Sequence, residues 1–218
     1  MKRRICLLLA VLLVLGGCSG LSAEELYRLP EATEDYYDLQ EALSDVLAEG
    51  YNYLAPASGA RQEPVQRTDL NGDGVDEAVA FFRSSADGGV TIYIFSRENE
   101  VYVPSAVIEG TGSAVASVEY ADLDGQGDLE IVLTYQVSEA VPQALQVYRY
   151  DENGAVILLN GSCSRYELAD LDGDGLSELF CITGNGGETP ATVAYYDGQA
   201  GQLKRSDELR LSFGYDGR

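Results

Sequence analysis

The sequence has no histidine, no tryptophan and one methionine, and only 14 of its 218 residues are Lys or Arg. Each scarcity removes a class of chemistry. Without histidine, imidazole acid–base catalysis, His-containing triads and His-ligated zinc are excluded within the chain. Against 36 Asp and Glu, the few cations leave a formal charge of −22 and no Lys/Arg cluster of the kind that binds a phosphate backbone, which excludes nucleic acid as a partner. Long apolar runs are scarce too. Ile5–Leu15 falls short of the about 20 residues that span a bilayer, and nothing later is long and apolar enough to do so.

What is present is a loop that occurs three times. Asp69-Leu70-Asn71-Gly72-Asp73-Gly74-Val75-Asp76-Glu77 returns at 122–130 and at 170–178, with starts separated by 53 and 48 residues. Loop positions 1, 3, 5 and 9 carry oxygen-bearing side chains, and the glycine at position 6 permits the sharp turn that points them inward. A cage of hard oxygen ligands selects calcium over zinc, copper or iron, and magnesium demands a stricter octahedron. The expected ligands are Asp69, Asn71, Asp73, the Val75 carbonyl and Glu77 in the first loop. They are Asp122, Asp124, Gln126, the Asp128 carbonyl and Glu130 in the second, and Asp170, Asp172, Asp174, the Leu176 carbonyl and Glu178 in the third. Up to three calcium ions are therefore expected. Gln126 replaces an anion with a neutral amide, which predicts weaker binding at the second loop. An EF-hand is excluded, because position 12 is Ala80, Leu133 or Cys181 instead of Glu, and the flanks read as strands. Each loop fills its shell from its own residues, so the ions are expected to be structural, not catalytic.

Around the loops, the pattern changes from helical to alternating. Tyr36, Leu39, Leu43, Val46 and Leu47 recur at helical spacing through 34–49, with Thr33 as a candidate N-cap and Gly50 at the C-terminal end. After the apolar patch of Tyr51, Tyr53 and Leu54, short strands are expected at 65–68, 78–82, 90–95 and 101–103. They continue at 115–121, 131–135, 144–150, 156–159, 164–169, 179–183, 192–196 and 203–211. Runs such as Ala78–Phe82 and Leu179–Ile182 are nearly continuous in apolar residues, which predicts burial on both faces. Leu70, Leu123 and Leu171, at loop position 2, are expected to point into the core while positions 1, 3 and 5 face the ion. The fold expected is an all-β repeat of units about 50 residues long, each able to hold four strands, preceded by one amphipathic helix.

The N-terminus reads as a targeting segment. Lys2-Arg3-Arg4, the apolar run and Leu15-Gly16-Gly17-Cys18 resemble a bacterial lipoprotein signal, with residues 1–17 removed and Cys18 lipidated. Loss of three positive charges would take the formal charge from −22 to −25. The expected organisation is a leader at 1–17, an anchor and tether at 18–30, the helix and linker at 31–61 and the repeat domain at 62–218. Localisation would be extracytoplasmic and surface-exposed, with the membrane reached through the lipid anchor. Export permits a disulfide between Cys163 and Cys181, which flank the third loop; a pair of buried thiols is the competing reading.

The Asp-x-Asp/Asn-Gly-Asp-Gly-x-x-Glu loop, leading into an apolar strand and recurring about every 50 residues, resembles the calcium-loop β-propeller repeats of the FG-GAP/VCBS type. The start of the chain, from Leu26 to Phe82, looks like that of clostridial gut-type surface lipoproteins carrying such repeats. The resemblance implies propeller-like blades and a binding or scaffolding role. Three marked units imply a partial or open propeller of three to four blades, fewer than the family's usual closed ring. The expected function is thus a calcium-stabilised, surface-exposed binding or scaffold lipoprotein without catalytic activity, with a protein or glycan ligand. Two alternatives stand beside it: an extracellular polymer hydrolase using paired carboxylates, and a structural lipoprotein that self-associates through blade edges.

Overall fold

The structure, a computed structural model, describes residues 34–137, 143–170, 173–184, 191–199 and 202–211. The chain divides into Met1–Glu34 and Asp35–Arg218, and the second part holds the elements that follow. Helix α1 (Glu34–Ala48) forms where the sequence is periodic. It ends as Gly50, at φ +98°, donates its N–H to the Leu47 carbonyl, a backbone conformation that favours glycine. Leu39, Leu43 and Val46 line its buried face and pack against Ala78, Ala80, Phe82, Phe95 and Tyr102. Among the described residues no helix is long and apolar enough to cross a membrane.

Three antiparallel sheets follow. The first contains β1 (Tyr51–Tyr53), β2 (Val65–Thr68), β3 (Glu77–Ser84), β4 (Val90–Glu98) and β5 (Val101–Glu109). β1 and β2 lie end to end along one side of β3, with Tyr53 opposite Phe82 and Val65 opposite Ala80. The second runs β6 (Ala114–Ala121), β7 (Glu130–Gln136), β8 (Gln143–Asp151) and β9 (Gly154–Cys163) in sequence order. The third repeats that order with β10 (Arg165–Ala169), β11 (Glu178–Thr183), β12 (Ala191–Gln199) and β13 (Gln202–Leu211).

Alternation along the inner strands divides the core. Val79 and Phe81 of β3 join Ile131, Leu133 and Tyr135 of β7 in one cluster, whereas Ala78, Ala80 and Phe82 face α1. Val132 of β7 turns the other way, into a cluster with Leu145, Val147, Leu179 and Cys181. A strand buried on both faces has no solvent side on which to place polar residues, which accounts for the unbroken apolar runs. Each fully buried Phe, Leu or Ile contributes about 1.5–3 kcal/mol of transfer free energy.

The expectation of propeller-like blades, open or closed, is corrected here. The described strands form three separate antiparallel sheets, with strand pairing only inside each, and they neither close nor curl into a propeller. A period of about 50 residues specifies four-stranded units, but it carries no information on how successive sheets are set against one another. Cys163 and Cys181 are both buried; Cys163 pairs with Gln143 in the second sheet, while Cys181 lies opposite Tyr166 in the third. Burial pushes the Cys163 thiol up to about 11, which keeps it protonated and unreactive.

Candidate metal centres

In every sheet the repeated loop joins the first strand of a hairpin to the second. Its last residue pairs across the mouth, Thr68 with Glu77, Ala121 with Glu130 and Ala169 with Glu178. The first aspartate of each loop is the turn's organiser. Asp69 accepts from the N–H groups of Gly72 and Gly74 at 2.8 Å each. Asp122 accepts from Gly125 (2.7 Å) and Gly127 (3.1 Å), and Asp170 from Gly173 (2.7 Å) and Gly175 (3.0 Å). Gly125 and Gly127 have φ of +75° and +87°, a region that side chains with a Cβ rarely enter.

Leu70 and Leu123 at position 2 are buried at 0% and 1% exposure, and their N–H groups each donate to the closing glutamate, Glu77 Oε2 and Glu130 Oε2, at 2.8 Å. The leucine thus anchors the loop in the core and fixes one oxygen of the glutamate. Leu171 and Asp172 lie outside the described residues, as do the leader, Thr33 and Cys18.

The structure brings the ligand oxygens of Asp122, Asp124 and Glu130 within 4.8 Å of one another, and does the same for Asp170, Asp174 and Glu178. Either group of three carboxylates could coordinate a divalent metal ion. The first loop is arranged differently, because the Asn71 amide donates to Asp73 Oδ2 (3.1 Å) and Glu77 Oε1 (3.3 Å). Val75 and Leu176, at position 7, donate their N–H groups to Asp73 Oδ1 (2.7 Å) and Asp174 Oδ1 (2.8 Å). Gln126 turns its amide onto Asp124 Oδ2 at 2.8 Å.

The second loop passes a test of fit to a cation. Glu130 is fully buried, and its Oε1 has no hydrogen-bond partner; Asp128 Oδ1 is likewise buried and unpartnered. An unsatisfied buried acceptor costs about 1–3 kcal/mol, more when charged, so two of them at one turn mark where positive charge belongs. Burial, with Asp124, Asp128 and Asp122 adding repulsion against the Leu123 N–H, pushes the Glu130 carboxyl up to about 7. Glu77 and Asp128 are also raised, in each case chiefly by burial.

Sequence reasoning missed Arg149. It reaches from β8 to place Nη1 3.9 Å from Asp124 Oδ2, and no spacing signal links a residue two strands away to the loop. It also missed the contact between loops, where the Leu129 N–H donates to the Leu70 carbonyl at 2.8 Å.

A family model described as an FG-GAP-like repeat matches residues 69–133, from the first loop to just past the second. No curated protein matches the chain. Similar solved structures include Bacillus licheniformis rhamnogalacturonan lyase PL11, at 16% identity and a TM-score of 0.47, covering 77% of this chain and 36% of that one. Rhamnogalacturonan lyase YesW gives 16% identity and a TM-score of 0.47 over 76% of this chain and 36% of that one. The exotype rhamnogalacturonan lyase YesX gives 18% and 0.46 over 73% and 33%. The chain spans about a third of the length of these structures. A likeness of this depth assigns no activity to the chain.

Several expectations are corrected by these findings. The family match covers 69–133, not the whole stretch from Gln62 onward, and the similar solved structures are rhamnogalacturonan lyases, not clostridial surface lipoproteins. The lipoprotein signal expected at residues 1–18 lies outside the described residues. The reading as a scaffold without catalytic activity is withdrawn on the carboxylate groups at the second and third loops. The grouped carboxylates belong to a residue class that performs acid–base chemistry as well as metal binding.

Proposed function

We propose that the chain is a calcium-binding β-sheet module whose sites are the loops at 69–77, 122–130 and 170–178. The observation that carries the proposal is the buried, unpartnered Oε1 of Glu130, grouped with Asp122 and Asp124. The donors are hard oxygens in an adaptable turn, the set that favours calcium. Bound calcium would supply the positive charge that offsets repulsion among these carboxylates. Extracytoplasmic placement belongs to the same proposal, since extracellular modules bind calcium at about 10⁻⁴–10⁻³ M, levels met outside the cell. Calorimetric titration of chelator-treated protein with calcium and with magnesium tests it. Calcium uptake that Glu130→Gln diminishes supports the reading, and heat changes indistinguishable from dilution would end it.

A second reading is favoured by the same trio of carboxylates: cleavage of an extracellular polysaccharide through paired acids, one protonated and one ionised. Rhamnogalacturonan, named for the similar structures, is the first polymer to assay. The two readings oppose one another at the second loop, because a carboxylate that holds an ion cannot also exchange a proton. Polymer cleavage inhibited by saturating calcium and abolished by Glu130→Gln would favour the enzymatic reading. No release of reducing ends at any calcium level would remove it.

A further inference from the structure

We propose that the first and second loops bind calcium cooperatively through Leu70, and that the third stands outside this coupling. The inference rests on the reading of the loops as calcium sites. Leu70 is held at both ends of its main chain. Its N–H donates to Glu77 Oε2, the closing carboxylate of its own loop, at 2.8 Å. Its carbonyl accepts at 2.8 Å from the N–H of Leu129, the residue between Asp128 and Glu130 of the next loop. Leu129 N–H and the Asp128 carbonyl belong to one rigid peptide plane, so the expected position-7 ligand of the second loop and the anchor of the first cannot reorient independently.

A second contact reinforces the first. A Cβ added at Gly72 would lie 2.8 Å from the Gly127 carbonyl oxygen, so the two turns abut, backbone against backbone. Leu70 is fully buried, and it cannot shift without disturbing its packing with Val79, Phe81, Val118 and Ile131. An element fixed in this way has few arrangements, and ordering one loop orders the other. The second and third loops meet differently. A Cβ at Gly125 would sit 3.0 Å from Leu176 Cδ1, the flexible end of a side chain, and among the described residues no main-chain hydrogen bond joins these two loops.

Coupling between sites is reciprocal and commonly changes affinity about 5- to 150-fold. Calcium titration of the full chain, followed by the amide NMR signals of Gly72 and Gly74, Gly125 and Gly127, and Gly173 and Gly175, reads each loop separately. With Glu130→Gln, whose substitution leaves every first-loop ligand in place, the first loop is expected to lose affinity at least about fivefold. The reverse variant, Glu77→Gln, is expected to weaken the second loop by the same factor, while the third loop changes in neither. A first loop that titrates identically in wild type and Glu130→Gln overturns the coupling but leaves the calcium reading intact. Absence of calcium-dependent shifts in all three loops of the wild type overturns both. If Glu130→Gln loses its dispersed spectrum, Asp124→Asn makes the same comparison. Replacing Leu129 by its α-hydroxy acid through semisynthesis then deletes the single N–H, and independent filling of the two loops is the expected result.

Discussion

The first and second loops share a nine-residue pattern, yet they satisfy their closing glutamates by different means. In the first, Asn71 directs its amide at Asp73 and Glu77, so N–H groups occupy part of the space where positive charge is wanted. In the second, position 3 is Asp124, and the only amide, Gln126, points at Asp124, leaving Glu130 Oε1 bare. Charge count alone does not rank the two, since each offers three carboxylates and one neutral amide, Asn71 or Gln126. The geometry ranks them: stability of the second loop depends more on an ion, because nothing in the chain substitutes for one.

The largest expected effect tests whether packing explains the contrast. Leu70→Ala and Leu123→Ala each remove a buried leucine and should each lower unfolding free energy by about 2–5 kcal/mol, similarly in both loops. Denaturant melts in chelator check this. Losses differing by more than about 1.5 kcal/mol would move the contrast from the ligands to the core.

Smaller effects of opposite sign are expected at the closing glutamates. In chelator, Glu130→Gln should stabilise the chain by about 1–2 kcal/mol, since it removes a buried charge and lets an amide donate to Asp122 or Asp124. Glu77→Gln should instead destabilise it by about 1 kcal/mol, because its new amide would face that of Asn71. Shifts of the same sign in calorimetry would break the comparison. Asn71→Asp converts the first loop toward the second; it should lower chelated stability by about 1 kcal/mol and enlarge the calcium-induced rise in melting temperature.

The pH response should be the smallest. A carboxyl whose folded-state value is raised adds stability that is fully present below its unfolded value and is lost as pH rises through the folded one. For Glu130 that window runs from 4.5 to about 7. In chelator the melting temperature should therefore rise as pH falls through this range, with Glu77 and Asp128 adding in the same direction. Asp87, held low by the Gly89 N–H, titrates below the window. In saturating calcium the trend should reverse, since protons then compete with the ion. Chelated stability that does not change with pH would show that Glu130 is not held as the geometry requires.

Local features of the fold were legible in the sequence where a single physical pattern governed them. The periodicity of Leu39, Leu43 and Val46 marked the packed face of α1, and the unbroken Ala78–Phe82 run marked a strand buried on both sides. Leu70 and Leu123 were readable as core anchors because position 2 sits between residues committed to facing inward in the turn. Tyr51–Tyr53 was readable only as an apolar patch. As a three-residue strand paired along β3, it lacks the length for alternation to show. The arrangement of the sheets escaped sequence reasoning because contacts between them depend on side-chain fit instead of local period. The amides of Asn71 and Gln126 were visible in the sequence, but the direction in which each points is set by tertiary packing. Arg149 and the Leu129–Leu70 bond join residues whose separation in sequence carries no signal.

The placement of each loop at the mouth of its own hairpin has a kinetic consequence. Thr68 pairs with Glu77, Ala121 with Glu130 and Ala169 with Glu178, so closing the turn is the first step in zipping the strands behind it. Short closures are fast, and a hairpin forms in about 1–10 μs when its turn permits. Here the turn gathers like charges before any apolar strand contact has formed to hold them together. Calcium that neutralises the turn at that stage would lower the barrier to the hairpin itself, so the refolding rate, and not only the melting temperature, would follow the free ion concentration.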